Sequence, residues 1–153
     1  MKLSQLLEAV PILNLRVPAD AGGRSPADPE IGSIHCRSQE VRPGGLFIAI
    51  PGFHADGHDF IDDALARGAA AVMVQRPVDR NTAVVEVADT RAAMGPAAAR
   101  FFGSPSEKMT VVGITGTNGK TTTSLITENI LKEAGFSTGV IGKIGRASCR
   151  ERV

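Results

Sequence analysis

Met109-Thr110-Val111-Val112-Gly113-Ile114-Thr115-Gly116-Thr117-Asn118-Gly119-Lys120-Thr121-Thr122-Thr123 is the stretch that decides how this chain is read. Residues 109–114 have the length and apolar composition of a buried strand, and they run directly into a glycine-rich turn. Beyond it Leu125, Ile126, Ile130 and Leu131 recur at helical spacing, with Glu128 and Lys132 as an i,i+4 pair. Strand, turn and helix in that order gather backbone N–H groups and the positive end of a helix dipole at one point, which suits a polyphosphate. Gly116 and Gly119 permit the tight turn and close approach. Lys120 supplies a cation to the β- and γ-phosphates, and the Thr121 hydroxyl ligates Mg²⁺. The expected ligands are therefore ATP and Mg²⁺, with Gly116, Thr117, Asn118, Gly119, Lys120, Thr121 and Thr122 as the ATP-binding residues and Lys120 as the catalytic one. The loop is the short G-x-x-G-K-T form, because Ile114 stands where the commoner pattern has its first glycine.

Outward from the loop, Gly135 stops the helix and Thr138-Gly139-Val140-Ile141-Gly142 reads as the next strand. On the other side, Gly103-Ser104-Pro105-Ser106 is a break and the expected domain boundary. Asp89-Thr90 opens a helix reaching about Phe102, with Pro96 inside it expected to kink or weaken it. Leu46–Ile50, Ala71–Val74 and Ala83–Val87 are apolar runs of strand length. Between the first two lies a helix with Asp59 as its cap, Phe60, Ile61, Ala64 and Leu65 on one face, and Gly68 as its stop. His58 follows Asp-Gly, so it shapes the turn or caps that helix in preference to acting as an acid or base. Leu3, Leu6, Leu7 and Val10 have the spacing of a short amphipathic helix, and Pro18–Gly32 reads as loop. Strand, helix, strand implies a parallel α/β unit.

Composition sets the bounds. With 153 residues, 42% hydrophobic and 22% charged, the chain can bury a core, as one domain or as a small domain plus part of another. No apolar run reaches membrane-spanning length, and Met1-Lys2-Leu3-Ser4-Gln5 lacks a signal peptide's apolar stretch, so a cytoplasmic protein without membrane attachment is expected. A net charge of +1 gives no argument for nucleic acid. Cys36 and Cys149 have no metal-ligand spacing and suggest no disulfide framework; Cys36 is expected to be buried or half-buried.

Thr115-Gly116-Thr117-Asn118-Gly119-Lys120-Thr121-Thr122-Thr123 resembles the ATP loop of the Mur ligase family and of its folylpolyglutamate synthetase relatives. Val41-Arg42-Pro43-Gly44-Gly45-Leu46-Phe47-Ile48-Ala49, then Gly52, Asp56-Gly57-His58, Phe60-Ile61 and Gly68-Ala69, is similar to the uridine-binding first domain of that family's MurE and MurF branches. Asp89-Thr90-Arg91, Phe102-Gly103 and Pro105-Ser106 before the loop resemble the MurE branch. The resemblance implies a cytoplasmic, monomeric enzyme that joins a diamino acid, meso-diaminopimelate or lysine, to UDP-MurNAc-L-Ala-D-Glu through an acyl phosphate, with Lys120 and Mg²⁺ stabilising the transferring phosphoryl group. The family's Asp-Ser-Arg motif falls on Arg37-Ser38-Gln39, where only Ser38 matches, and its uridine loop falls on Phe53-His54-Ala55. Ser38, Phe53, His54 and Ala55 are thereby the implied UDP-sugar-binding residues.

The resemblance also implies a layout: a small α/β UDP-sugar-binding domain over 1–88, a connecting helix and linker over 89–106, and the truncated start of a P-loop central ligase domain over 107–142. The family's later Mg²⁺-binding glutamate, modified lysine and amino-acid-binding domain have no counterpart here, so this chain alone is expected to bind nucleotide weakly and not to turn over. Residues 143–153 resemble an in-frame translation of a sequencing adapter and carry a local charge of +3, so they are expected to be non-native. Three rivals stay open: a MurF-type ligase, a stand-alone UDP-sugar-binding module, and a generic P-loop kinase, which leaves 37–69 unexplained.

Overall fold

A computed structural model describes residues 1–18, 28–53, 55–142 and 148–149, in two compact units, Met1–Met109 and Thr110–Val153. The first unit is built on a five-stranded sheet, formed by β1 (Ile12–Arg16), β2 (Ser33–His35), β3 (Gly45–Ile48), β4 (Ala71–Val74) and β5 (Ala83–Val87), in the order β1-β5-β4-β3-β2. Strands β2 to β5 run parallel, and β1 closes the β5 edge antiparallel. The helices are α1 (Leu3–Leu7), α2 (Ile61–Ala66) and α3 (Thr90–Phe101), with 3₁₀ turns at Ser38–Glu40, Gly57–Phe60 and Pro105–Glu107.

The continuous apolar runs are explained by burial on both faces, the condition of a parallel sheet covered by its crossovers. Within β3, Leu46 and Ile48 join α1 and α3 in a core with Leu3, Leu6, Met73, Val85, Ala93 and Ala97. Their neighbours Phe47 and Ala49 point the other way, against Ile61, Ala64, Val72, Val74 and Val84. Asp28 anchors α1, accepting from the Ser4 amide (3.0 Å) and hydroxyl (2.8 Å). Asp89 caps α3 by accepting from the amides of Arg91 (2.8 Å) and Ala92 (3.1 Å).

Several expectations are corrected. The cap after β3 is Asp56, not Asp59, because a 3₁₀ turn precedes α2 and puts its first orphan amide at His58. Pro96 lies inside α3, which runs continuously from Thr90 to Phe101. Cys36 is exposed. The units divide at Met109, a few residues beyond the predicted break, because the Pro105–Glu107 turn still belongs to the first.

In the second unit α4 (Lys120–Glu133) forms as expected, and Gly135 ends it at φ 89° with the Phe136 amide returning to Leu131 O at 3.0 Å. Lys132 pairs with Glu128. The expected strand over 109–114 is absent: no described residue pairs with it, and Met109, Val111 and Val112 are exposed. A strand exists through its partners, and an apolar sequence alone does not make one. Leu125, Ile126 and Ile130 on α4 are likewise exposed. The last predicted strand shortens to β6 (Gly139–Val140), paired antiparallel with β7 (Ser148–Cys149). Residues 143–147 and 150–153, most of the segment expected to be non-native, lie outside the described residues.

Candidate functional site

Parallel strands bring their carboxyl ends to one edge of the sheet, and the segments that leave that edge are where open α/β sheets hold ligands. Ser38 follows β2 and is buried at 2% exposure, with its hydroxyl making no hydrogen bond among the described residues. The Asp63 carboxyl beside it is held below the usual carboxylate range, first by the Ser38 hydroxyl and then by Arg67, with burial opposing. The Ser38 hydroxyl therefore faces the Asp63 carboxylate, and its oxygen keeps acceptor capacity.

A tight turn leaves β3. Pro51 and Asp56 form an antiparallel bridge, and the Gly52 amide donates to Ala55 O at 2.9 Å. Phe53 stands fully exposed at its tip and Ala55 is exposed; His54 lies outside the described residues. The turn closes against the strand through Gly57, whose amide donates to Ile50 O at 3.0 Å. A side chain there would meet Ile50 N at 2.5 Å, so only glycine fits.

The base of this turn is wired to the ends of β4 and β5. Asp56 accepts from the His58 amide at 2.9 Å and pairs with His58 Nδ1 at 2.6 Å. His58 Nε2 lies 3.2 Å from the Gln75 amide nitrogen. A backbone amide can only donate, so Nε2 accepts, the proton sits on Nδ1, and the ring is neutral. His58 is thus a buried structural tie, as its sequence context implied, with no proton to offer a substrate. From Gln75 the circuit continues: its side-chain oxygen accepts from the Thr90 amide at 3.1 Å, and the buried Thr90 hydroxyl lies 2.9 Å from Ala49 O. Sequence reasoning did not single out Gln75, Arg76 or Arg91 for this edge; polar residues at strand ends carry no periodic signal.

The Asp56 carboxyl is held below its ordinary range, chiefly by the His58 amide, then by the His58 ring and Arg76, with burial opposing. A carboxyl lowered by folding stabilises the fold above its unfolded value, near pH 4, and that contribution is lost as pH falls through the lowered value. Asp56→Asn is therefore expected to lower the melting temperature at neutral pH and to flatten the acid dependence of stability below about pH 4. Circular-dichroism melts across that range check it; an unchanged slope would remove Asp56 from the linkage.

The glycine loop lies in the second unit. Gly116 and Gly119 take φ 148° and 76°, both on the positive side that favours glycine. Gly119 is the N-cap of the 14-residue α4, and open space lies where its Cβ would be. Lys120 folds back over the loop, donating to Gly116 O and, at 3.1 Å, to Thr117 O. Residues 115–123 are exposed. The donor set fits a polyphosphate: a helix N-terminus, two glycines that let an anion approach, and a lysine poised above them. The Thr121 hydroxyl is exposed on the first turn of the same helix, a neutral oxygen of the kind Mg²⁺ accepts. A shallow cleft of about 230 Å³ elsewhere, lined by Arg16, Pro18, Asp79, Arg80, Asn81 and Thr82, adjoins the opposite end of β5 and involves none of these residues.

Known proteins similar to this chain share one family description. The family model described as Mur ligase family, catalytic domain, matches residues 30–102. The UDP-N-acetylmuramoyl-L-alanyl-D-glutamate--2,6-diaminopimelate ligase of Aquifex aeolicus (strain VF5) is 54% identical over 114 residues, 74% of this chain and 24% of that protein. A solved UDP-N-acetylmuramoyl-L-alanyl-D-glutamate--2,6-diaminopimelate ligase superposes with TM-score 0.67 at 25% identity, covering 100% of this chain and 30% of that one. The MurF ligase of Thermotoga maritima, solved in complex with ADP, gives TM-score 0.56 at 37% identity, over 66% of this chain and 23% of that one. The chain spans about a quarter of the length of the curated relatives it matches.

Proposed function

The chain belongs to the Mur ligase family, and we propose that it supplies the UDP-sugar-holding unit and the ATP loop of a MurE-type ligase. That enzyme adds 2,6-diaminopimelate to UDP-MurNAc-L-Ala-D-Glu with ATP and Mg²⁺, in the cytoplasm. The observation that carries the reading is the 54% identity to a ligase named for those substrates, over three quarters of the chain. Ser38, with its buried hydroxyl, and Phe53 and Ala55 at the neighbouring strand end would contact the uridine nucleotide, with His54, outside the described residues, as a further implied contact. Phe53 offers an exposed aromatic face on which a base can stack.

The ADP held by the Thermotoga maritima relative supports ATP as the ligand of the loop. Gly116, Thr117, Asn118, Gly119 and Thr122 would present backbone donors, and Lys120 would exchange its carbonyl partners for phosphate oxygens, which are stronger acceptors. Thr121 would hold Mg²⁺, whose charge offsets that building on the transferring phosphoryl group. The second unit's apolar residues are largely exposed, which leaves this loop poorly supported, so we infer weak ATP binding and no turnover by this chain alone.

Lys120→Ala tests the loop. Loss of one charged donor to phosphate is expected to weaken ATP about ten- to a hundredfold and to leave UDP-MurNAc-L-Ala-D-Glu binding unchanged. Equal ATP affinity in the two proteins, by fluorescent-nucleotide displacement, would contradict it. A MurF-type ligase is the second reading, favoured by the 37% identity to the Thermotoga maritima enzyme; the higher identity to the diaminopimelate ligase ranks it lower.

A further inference from the structure

Two guanidinium groups grip the two ends of the turn that carries Phe53. At one end Arg91, on the first turn of α3, donates from Nη2 to Pro51 O at 3.0 Å. At the other, Arg76, just past the end of β4, places Nη2 3.2 Å from Asp56 Oδ2 and 3.6 Å from Asp59. Each arginine leaves a different strand end, so the turn after β3 is tied to the exits of both β4 and β5. Both arginines are exposed, and exposed ion pairs contribute little to stability. Nor does the tip of the turn need them for packing, since Phe53 touches no core. What such a clamp adds to the turn's own hydrogen bonds is a fixed direction at its two ends, which lowers the ordering cost when a ligand arrives.

We propose that Arg91, with Arg76 as its counterpart, is a positioning residue for the sugar-nucleotide turn: together they hold its two ends, Pro51 and Asp56, in the binding conformation, without Arg91 itself contacting the ligand. This rests on the reading of that turn as the uridine site. The Gln75–Thr90–Ala49 circuit beneath makes the arrangement specific. Thr90 is fully buried and fixed to β3 and to Gln75, so the adjacent Arg91 starts from an immobile base.

The test uses the full chain and UDP-MurNAc-L-Ala-D-Glu, with UDP as a second probe, in titration calorimetry. Arg91→Ala is expected to weaken both probes about five- to tenfold, to leave ATP affinity unchanged, and to move the melting temperature by no more than about 2 °C. Arg91→Lys should recover part of the loss. The chain has no Trp or Tyr, so a Phe53→Trp background reports on the turn alone: its fluorescence anisotropy should fall when Arg91→Ala is added. Phe53→Ala separates the two levels of the argument. If it abolishes UDP binding while Arg91→Ala changes neither affinity nor anisotropy, the positioning role is wrong and the site reading stands. If Phe53→Ala leaves UDP binding intact, the site reading itself is wrong and the positioning role falls with it. A melting temperature that collapses in Arg91→Ala would make the residue structural and would equally overturn the proposal.

Discussion

Alanine at Gly57 is expected to destabilise the first unit by about 3 kcal/mol and to remove sugar-nucleotide binding altogether. The added Cβ would lie 2.5 Å from Ile50 N, 2.7 Å from Ile50 O and 2.9 Å from Ala49 C, all of them main chain at the exit of β3. A flexible side chain could swing away from such a contact, whereas a strand end pinned in a sheet cannot. Relief therefore requires the 57–60 turn to move off the strand, breaking the Gly57 to Ile50 hydrogen bond and carrying Asp56 and His58 with it. Those residues set the base of the Phe53 turn, so stability and binding should fail together. Chemical denaturation and UDP-MurNAc-L-Ala-D-Glu titration on one sample check this, and a variant that still bound the nucleotide would show that the turn tolerates a quite different base.

The second large effect belongs to Phe47. It is 1% exposed, the largest fully buried side chain among the described residues, and it fills the layer between the sheet and α2 with Ile61, Ala64, Val72, Val74 and Val84. Phe47→Ala removes that volume from between a rigid sheet and a short helix, neither of which can close the gap, and should cost about 3–5 kcal/mol. Domains are stable by only about 5–15 kcal/mol, so much of the stability of the first unit would go. Urea unfolding followed by circular dichroism measures it. A loss under about 1 kcal/mol would mean that the layer over this face of the sheet is not closely packed.

The elements readable from the sequence were those whose signal is burial. Leu46–Ile48, Ala71–Val74 and Ala83–Val87 are apolar at every position or nearly so because both sheet faces are covered, and each formed a strand. Strand β1 escaped notice because all five residues are exposed and it is held by pairing with β5 alone. Strand β2 is three half-buried residues, too short for a period. The reverse error at 109–114 has the same root: composition was right for a strand, but pairing is a property of neighbours, and the described residues provide none. Of the proposed site, Gly116, Gly119 and Lys120 were legible because a glycine-rich turn before a helix is local in sequence. Ser38 and Phe53 came from a family pattern, and their placement after the carboxyl ends of the adjacent strands β2 and β3 follows from parallel topology. Arg91 was legible only as part of the Asp89-Thr90-Arg91 pattern, and its role at this edge, like those of Gln75 and Arg76, was not, since each acts on a residue at least fifteen positions away.

Titration calorimetry of the chain with UDP-MurNAc-L-Ala-D-Glu tests the central claim most directly, run in parallel on the Phe53→Ala and Lys120→Ala variants. Binding of the sugar nucleotide that is lost in Phe53→Ala and kept in Lys120→Ala is the predicted result. Absence of binding to the folded chain, or binding indifferent to Phe53, would contradict it.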